Sequence, residues 1–475
     1  MTGPARKERL SLYACVGHAQ HSILQYLDTP DLQALSLVSK GTTFDVRHRL
    51  YAHIAWTWTE TTTPPIAAFV RTILRRPDLA AHVQSVTLGG DMTPGYPARH
   101  RVLRVPTDDL DLVEAHNAID DLAVPFAQVW KARVAQGTMD AFLALMVSQL
   151  NHLKRLIMKT AFTRSTSILG DFIMFTTAHH ADSSSPRFGH LKELSCMLYW
   201  DFIGTGSFCQ GENTDNLLPF FYLPHLETLT VDLDNPDTIR WPGSRPRLTN
   251  LTSLSLSEVR ERHLPEILIC LPSLQKLHYD WSYHPDLRSR HYTNRLDLSA
   301  LAASFNHVSK TLTDICLTAA CHLGGDDYTL PELDISGSFA GLRDLTRLKK
   351  LEIPIAFLLG FQPSTSNRIA DILPENLEQL TIRDDLYEPI VNEFRHEVWL
   401  SKWDDDAMFE AIVLWIEDVG RTQPLLGRLH LKIDEMQEGE WLPAMQERLV
   451  QLGRQNGVAI SVRRGWDHQD EDDIE

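Results

Sequence analysis

A six-residue cassette recurs ten times along the 475-residue chain, with apolar residues at its first, fourth and sixth places. Two clear copies are LETLTV at 226–231 and LTSLSL at 251–256. The other eight begin at Val83, Leu153, Leu191, Leu274, Leu312, Leu348, Leu377 and Leu426. A short apolar pattern repeated this often is typical of a stacked repeat architecture.

The spacing within each cassette predicts a β-strand. Places four and six are two residues apart, so their side chains leave a strand on one face, while places three and five leave on the other. One such strand cannot cover its own apolar side, and copies must therefore stack. The pattern predicts an α/β solenoid with a parallel sheet, and its spacings of 23 to 70 residues make the solenoid irregular.

The segment before the first cassette is predicted to be helical. In residues 20–54, apolar side chains recur three and four residues apart, which indicates a small all-α module of three short helices. Asp28 is a candidate N-cap for the second helix, with Pro30 in its first turn. Gly41 is predicted to end that helix, and FDVRHRLYAHI at 44–54 to form the third.

The run ILQYLDTPDLQALSLVSK at 23–40 resembles the F-box, the helical motif by which substrate receptors dock onto the Skp adaptor of cullin-RING ubiquitin ligases. Shared features are a first helix ending in leucine and aspartate, a following proline and aspartate, and a leucine-rich helix closing in Val-Ser-Lys. The usual Leu-Pro-x-Glu opening is absent, since residues 15–22 contain neither proline nor glutamate. Leucine-rich repeats commonly accompany this motif, especially in fungal proteins, and the cassettes are interpreted as an irregular leucine-rich-repeat solenoid.

The resemblance implies a docking surface for the adaptor on the helical module. The candidate docking residues are Leu24, Leu27, Pro30, Leu32, Leu35, Val38, Ser39 and Lys40. In a second interpretation the leucines pack the module's own small core. A unit this small buries too little apolar surface to stand alone, so we expect a partner or the next domain to cover part of the stripe.

The polar places of the strands give a second candidate surface. Places three, five and seven of neighbouring strands lie about 5 Å apart and form a continuous field that is a candidate substrate-binding face. Its predicted residues are Thr228, Thr230, Asp232, Ser253, Ser255, Ser257, Lys276, His278, Asp280, Gln379, Thr381 and Arg383. An ordinary solvated sheet surface is the alternative. Trp200, Trp241 and Trp281 follow strand regions and are assigned to core or rim packing.

These patterns divide the chain into predicted segments. They are an N-terminal arm at 1–19, the helical module at 20–54, a helical junction at 55–82, the repeat domain at 83–465 and an acidic disordered tail at 466–475.

Composition limits the partners and the compartment. The 45 basic and 62 acidic residues give a net charge of −17, which argues against a nucleic-acid ligand and favours a basic protein partner. Six cysteines without a CxxC pair are typical of a reduced intracellular protein. Apolar runs fall short of the roughly 18 residues of a membrane helix. The expected location is the cytoplasm, the nucleus or both.

Catalytic and metal-binding motifs are incomplete. HEVWL at 396–400 lacks the second histidine of a zinc protease helix, and GTGSFC at 204–209 lacks the third glycine of a dinucleotide loop. Ser338 does not have the spacing of a nucleophile elbow. The histidine pair at 179–180 and the aspartates at 404–406 are interpreted as solvated residues rather than metal ligands. The sequence therefore predicts no enzyme, no cofactor and no metal site.

The predicted function is a non-catalytic substrate receptor of an SCF-type (Skp-cullin-F-box) ubiquitin ligase. Its expected partners are a Skp-family adaptor, through it a cullin-RING ligase, and an unidentified protein substrate, with no nucleic acid and no membrane. One alternative is a leucine-rich-repeat scaffold that is not linked to a ubiquitin ligase. Another is an enzyme on the repeat scaffold, which requires a deep pocket with convergent ionisable groups.

Overall fold

The computed structural model of the protein describes most of the chain. It covers residues 22–24, 26–59, 62–90, 104–108, 110–159, 162–163, 166–179, 187–197, 214–283, 293–321, 333–361, 368–386, 389–391, 397–399, 405–433 and 443–464. The predicted N-terminal arm, the tail and Trp200 lie outside these residues. The described chain divides into two compact units, of which the first comprises residues up to 90, residues 104–157 and Arg187–Leu191.

All ten cassettes form strands, as predicted. The strands are β1 (His53–Thr57), β2 (Ser85–Gly89), β3 (Arg155–Met158), β4 (Glu193–Cys196), β5 (Thr228–Asp232), β6 (Ser253–Ser257), β7 (Lys276–Tyr283), β8 (Arg295–Asp297), β9 (Asp314–Cys321), β10 (Asp334–Ser336), β11 (Lys350–Pro354), β12 (Gln379–Arg383), β13 (Pro389–Val391), β14 (Glu397–Trp399), β15 (Arg428–Ile433) and β16 (Ala459–Arg464).

Parallel pairing dominates both units. In the first unit β1 pairs with β2 in parallel, and β3 follows in the sheet order. In the second unit nine strands follow the order β4-β5-β6-β7-β9-β11-β12-β15-β16, each parallel to the next. Two short sheets, the parallel pair β8–β10 and the antiparallel pair β13–β14, were not expected from the cassettes. The fold is an α/β fold with an irregular repeat, as the sequence predicts.

The register aligns equal places of successive cassettes. Leu229 of β5 lies beside Leu254 of β6, and Leu254 beside Leu277 of β7, and all three are buried. At most cassettes, the amides of places two and three donate to one carbonyl of the preceding repeat. For example, the N–H groups of Thr252 and Ser253 both donate to the Glu227 carbonyl, at 2.9 and 3.1 Å. Because a slip of one residue would turn the leucines to the polar face, the alternation fixes this register.

Helices of unequal length connect the strands. They are α1 (Thr29–Ser36), α2 (Lys40–Leu50), α3 (Ile66–Arg75), α4 (Pro77–Ala80), α5 (Leu112–Asp121), α6 (Ala127–Ala135), α7 (Met139–Gln149), α8 (Ser167–His179), α9 (Thr214–Leu217), α10 (Leu264–Leu268), α11 (Leu298–Ser304), α12 (Ile355–Leu359), α13 (Ile369–Ile372), α14 (Asp405–Glu417), α15 (Val419–Thr422) and α16 (Pro443–Gln455). Single turns of 3₁₀-helix occupy Leu218–Tyr222, Glu261–His263, Phe305–His307 and Ala340–Asp344.

The predicted third helix of the module forms as α2, but its predicted end at Ile54 is wrong. Helix α2 ends at Leu50, and His53–Thr57 forms β1, in which more exposed and less exposed side chains alternate with a period of two. Trp56 of this strand packs edge-on against Phe69 of α3, with ring centroids 5.2 Å apart. This contact and the pairing with β2 favour an extended backbone over the helix that the local spacing indicates.

The predicted helix end at Gly41 is also wrong. Helix α1 stops at Ser36, and Gly41 lies in the first turn of α2. Ser39 starts α2 because its hydroxyl accepts a hydrogen bond from the Thr42 N–H while the Thr42 hydroxyl accepts one from the Ser39 N–H. This reciprocal capping box satisfies two backbone donors and overrides the tendency of glycine to end a helix.

Candidate functional site

The helical module is built around the predicted cap. Asp28 caps α1, since its Oδ1 accepts a hydrogen bond from the Asp31 N–H at 2.8 Å, and Pro30 lies in the first turn. This confirms the predicted start of the helix. The next helix follows after three residues, so the Val-Ser-Lys element at 38–40 forms the tight corner between α1 and α2.

The leucine stripe of the module faces inward. Leu24, Leu32 and Val46 are buried and form a small hydrophobic core. Three partly buried side chains, Leu27, Leu35 and Leu50, pack against it. The four leucines among the predicted docking residues therefore take part in the module's own core. This agrees with the second interpretation of the stripe, in which the leucines pack the module itself. Pro30, Val38, Ser39 and Lys40 are exposed.

A different set of apolar side chains faces solvent. Eleven large apolar side chains are exposed in the part of the chain that the structure describes, and five of them fall between residues 23 and 44. They are Ile23, Tyr26, Leu37, Val38 and Phe44, here called the exposed apolar set. Leu37 is 87% exposed and lies off the stripe on which the prediction was based. Nearly half of the exposed apolar side chains thus occupy one small segment.

The second unit carries three aligned rows of side chains on the polar side of its sheet. Row three is Glu193, Thr228, Ser253, Lys276, Asp314, Lys350, Gln379, Arg428 and Ala459. Row five is Ser195, Thr230, Ser255, His278, Cys316, Glu352, Thr381, His430 and Ser461. Row seven includes Asp232, Ser257, Asp280, Thr318, Arg383 and Lys432. All twelve predicted face residues lie on these rows.

The prediction drew on four of the eight cassettes of the second unit and missed the equivalent residues of the other four. The remaining charged or ionisable members of the rows are Glu193, Asp314, Lys350, Cys316, Glu352, Arg428, His430 and Lys432. Reading the same three places in every cassette would have found them.

The rows differ in exposure. Lys276 and His278 are exposed, and most of the other predicted residues are half-buried. Thr381, Arg383 and Asp232 are buried, with at most 7% of their surface accessible, so the expectation of a solvated position is wrong for these three. Accessibility therefore falls toward the carboxyl ends of the strands, where row seven lies.

Arg383 is the centre of an ion-pair network on this face. Its Nη1 donates to Glu352 Oε1 at 2.7 Å and its Nε to Asp385 Oδ1 at 2.8 Å. Lys432 Nζ lies 3.2 Å from the same Glu352 oxygen. Burial raises the pKa of Asp385 above its usual range, although Arg383 and the Ala319 N–H oppose the shift. The Glu352 carboxylate of β11 therefore links Arg383 of β12 with Lys432 of β15.

A second buried polar cluster follows β6 and was not predicted. Glu258, only 5% exposed, accepts a hydrogen bond from the Asn235 side chain, and both residues have left-handed backbone conformations. Close by, Arg260 lies over the ring of Trp281, 4.8 Å from its centroid, and Trp281 donates to Glu261 at 3.1 Å. Trp281 is thus a core residue, in agreement with the packing assignment.

Trp241 lies in a different environment from Trp281. Its ring is half-buried and contacts Phe221 and Tyr222 edge-on, with ring centroids 5.5 and 6.4 Å apart. This placement also agrees with the packing assignment.

The ionisable groups of row five do not form an activated nucleophile. Burial raises the pKa of Cys316 to about 12, so its thiol stays protonated at neutral pH, where a thiolate would be needed for attack. Among the described residues, no group of three or more His, Cys, Asp or Glu side chains is arranged to hold a metal ion.

The chain is similar to solved structures but not to family models or curated proteins. No family model and no curated protein matches it. One matching solved structure is the crystal structure of the Rad7 and Elc1 complex in yeast, at 12% identity and a TM-score of 0.30, with 95% of this chain and 91% of that chain covered. No described helix has the length and apolar character that a membrane span requires.

Proposed function

We propose that the protein is a non-catalytic substrate receptor of an SCF-type ubiquitin ligase, acting in the cytoplasm, the nucleus or both. In this proposal the helical module docks onto a Skp-family adaptor that joins it to a cullin-RING ligase. The rows of the second unit hold a target protein. Holding a lysine of the target near the ubiquitin thioester makes their encounter effectively unimolecular, and the chemistry belongs to the partners.

The observation that carries the proposal is the concentration of the exposed apolar set in the helical module, whose residues 23–40 resemble an F-box. Monomeric proteins rarely leave contiguous apolar surface uncovered, and such patches mark interaction sites. Leu37 and Val38, 87% and 71% exposed, immediately precede the Ser-Lys pair of the motif. Burying such a side chain against a partner stabilises a complex by about 1.5–3 kcal/mol.

The docking surface we propose differs from the one expected from sequence. It consists of the exposed apolar set together with the exposed Pro30, Ser39 and Lys40. The leucines at 24, 27, 32 and 35 support it from within by packing the core between the helices.

Co-purification with a recombinant Skp-family adaptor tests the proposal. The full chain is expected to bind, and a double variant with Leu37→Asp and Val38→Asp is expected to lose binding. Val113→Asp is the matched control, because Val113 is 70% exposed on α5, outside the module. Absence of binding by the wild-type chain, or equal binding by the double variant, would favour the scaffold protein that is not linked to a ligase.

A further inference from the structure

Row three carries a positive stretch that the net charge of the chain conceals. From β7 to β15 the row reads Lys276, Asp314, Lys350, Gln379 and Arg428. Three cations and one carboxylate give this stretch a net charge of 3 − 1, or +2, on a chain of −17. Exposed charges are screened beyond about 8 Å at physiological ionic strength, so a bound segment responds to the local sign.

The cations of this stretch are accessible. Lys276 and Arg428 are exposed, and neither forms an ion pair with another described residue. The side chain of Lys350 is 62% exposed, and its contact with Asp314 is a long 3.8 Å. Asp314, with 27% of its side chain exposed, also accepts a hydrogen bond from the Thr313 hydroxyl. The cations therefore remain available to an anionic partner.

The neighbouring rows do not cancel this charge. In row five, the carboxylate of Glu352 is already engaged by Arg383 at 2.7 Å and Lys432 at 3.2 Å. In row seven, Asp280 lies four residues along β7 from Lys276, about 13 Å at the rise of a strand, which is beyond the screening distance. Row three on β4, β5 and β6 contains no cation, since it reads Glu193, Thr228 and Ser253. The positive stretch is confined to β7 through β15.

The register fixes the spacing of the cations. Neighbouring strands lie about 4.8 Å apart, and the cations occupy every second strand, so they repeat at about 10 Å. A polyproline II segment has three residues per turn and rises about 3.1 Å per residue, which places every third side chain on one side at intervals of about 9.3 Å. The two repeats match within the reach of lysine and arginine side chains.

We propose that row three between Lys276 and Arg428 binds an extended segment of the target protein with an acidic group at every third residue. The proposal rests on the proposed receptor function and specifies the class of target. It reverses the expectation of a basic partner, which came from the net charge of the whole chain.

Fluorescence anisotropy with a labelled peptide of repeating Glu-Pro-Pro triplets tests the proposal on the full chain. A Gln-Pro-Pro peptide and a peptide with equally many glutamates at every second residue are the matched probes. We expect only the Glu-Pro-Pro peptide to bind tightly, and we expect added salt to weaken its binding. Equal affinity for both glutamate peptides would refute the proposed three-residue spacing. Tighter binding of a single-stranded oligonucleotide would refute the proposal that the ligand is a protein.

Substitutions of the cations and of the carboxylate in row three are expected to change the affinity for the peptide in opposite directions. Charge reversal at Lys276, Lys350 or Arg428 is expected to weaken peptide binding about fivefold each, from the strength of exposed ion pairs. Lys310→Glu, an equal change in charge at an exposed turn before β9, serves as the control. Asp314→Asn is expected to strengthen binding about twofold, which loss of folding cannot imitate. Unchanged affinity in these four row variants would overturn the proposal.

The assay contains no adaptor, so it separates the two proposals. The double variant at Leu37 and Val38 is expected to bind the peptide as tightly as the wild type. If the adaptor fails to bind but the peptide binds row three, the receptor function fails and the acidic-segment site stands. If the adaptor binds and the peptide does not, the acidic-segment site is overturned and the receptor function stands.

Discussion

Glu258→Gln isolates the energetic effect of one buried carboxyl group. Burial is the main cause that raises the pKa of Glu258 to about 8 from its ordinary 4.5. Hydrogen bonds from Ser282 and Asn235 lower it in part, while nearby Asp280 raises it. Glutamine keeps the shape of the protonated acid, and its carbonyl can still accept the hydrogen bond from Asn235. The variant therefore resembles the protein with this proton permanently in place.

The sign of the effect follows from proton linkage. The folded state binds this proton more tightly than the unfolded chain, so the stabilisation is complete below pH 4.5 and is lost as the pH rises through about 8. One pKa unit corresponds to about 1.4 kcal/mol. Between about pH 6 and about pH 8, the wild type should therefore lose about 2 kcal/mol of unfolding free energy that Glu258→Gln retains.

Urea denaturation of both proteins across this pH range measures the difference. The advantage of Glu258→Gln is expected to grow with pH and then level off above about pH 8. Glu227→Gln, which changes a side chain that is 49% exposed just before β5, provides the baseline for other titrating groups. Parallel pH profiles for the wild type and Glu258→Gln would refute the reasoning, because they would mean that the surrounding dipoles hold the carboxylate charged throughout.

Three further substitutions have expected outcomes in denaturation or proteolysis experiments. Arg383→Met leaves the buried carboxylate of Asp385 unpaired and should lower the unfolding free energy by about 3–5 kcal/mol; a loss below about 1 kcal/mol would contradict the role of the network. Val46→Ala removes two methyl groups from the module core and should cost about 2 kcal/mol, measured as faster proteolysis within the module; an unchanged cleavage rate would contradict this. Tyr279→Phe removes the hydroxyl that donates to the Val259 carbonyl at 2.8 Å and should cost about 1–2 kcal/mol in urea denaturation, whereas an unchanged midpoint would contradict it.

The cassettes predicted the sheet well because one physical requirement acts on every copy. Each strand must bury places four and six against the layer behind the sheet, and the period of two then determines which side chains share the opposite face. The register of the nine strands follows from aligning equal places. Strand β1 was missed because HIAWT has no cassette leucines, and its conformation depends on β2 and on the contact between Trp56 and Phe69.

The docking surface was predicted less well because helical spacing defines a stripe but not the direction in which it faces. Leu32 and Leu35 lie on the stripe and turn toward the core, whereas Leu37 lies off it and is exposed. The direction is set by the corner at Ser39, whose capping box starts α2 at a point that the spacing alone does not indicate. In so small a unit, the tertiary packing of the helices decides which way the stripe faces, and helical spacing does not determine that packing.

The polar cluster after β6 could not be predicted for a different reason. Glu258 and Asn235 have positive φ angles of 53° and 43°, which are uncommon for residues other than glycine. These turns bring the two side chains together across neighbouring repeats. A pattern of alternating apolar residues contains no information about them.

The two ends of the strands differ in whether their polar and charged groups are already paired with one another. In open parallel sheets, ligands commonly bind beyond the carboxyl ends of the strands. Here the polar groups at that edge are engaged with one another: Arg383 with Asp385 and Glu352, Glu258 with Asn235. A ligand would have to break buried ion pairs there. At the amino ends, row three keeps exposed cations, so binding a target at that edge would leave the network that holds the repeats together intact.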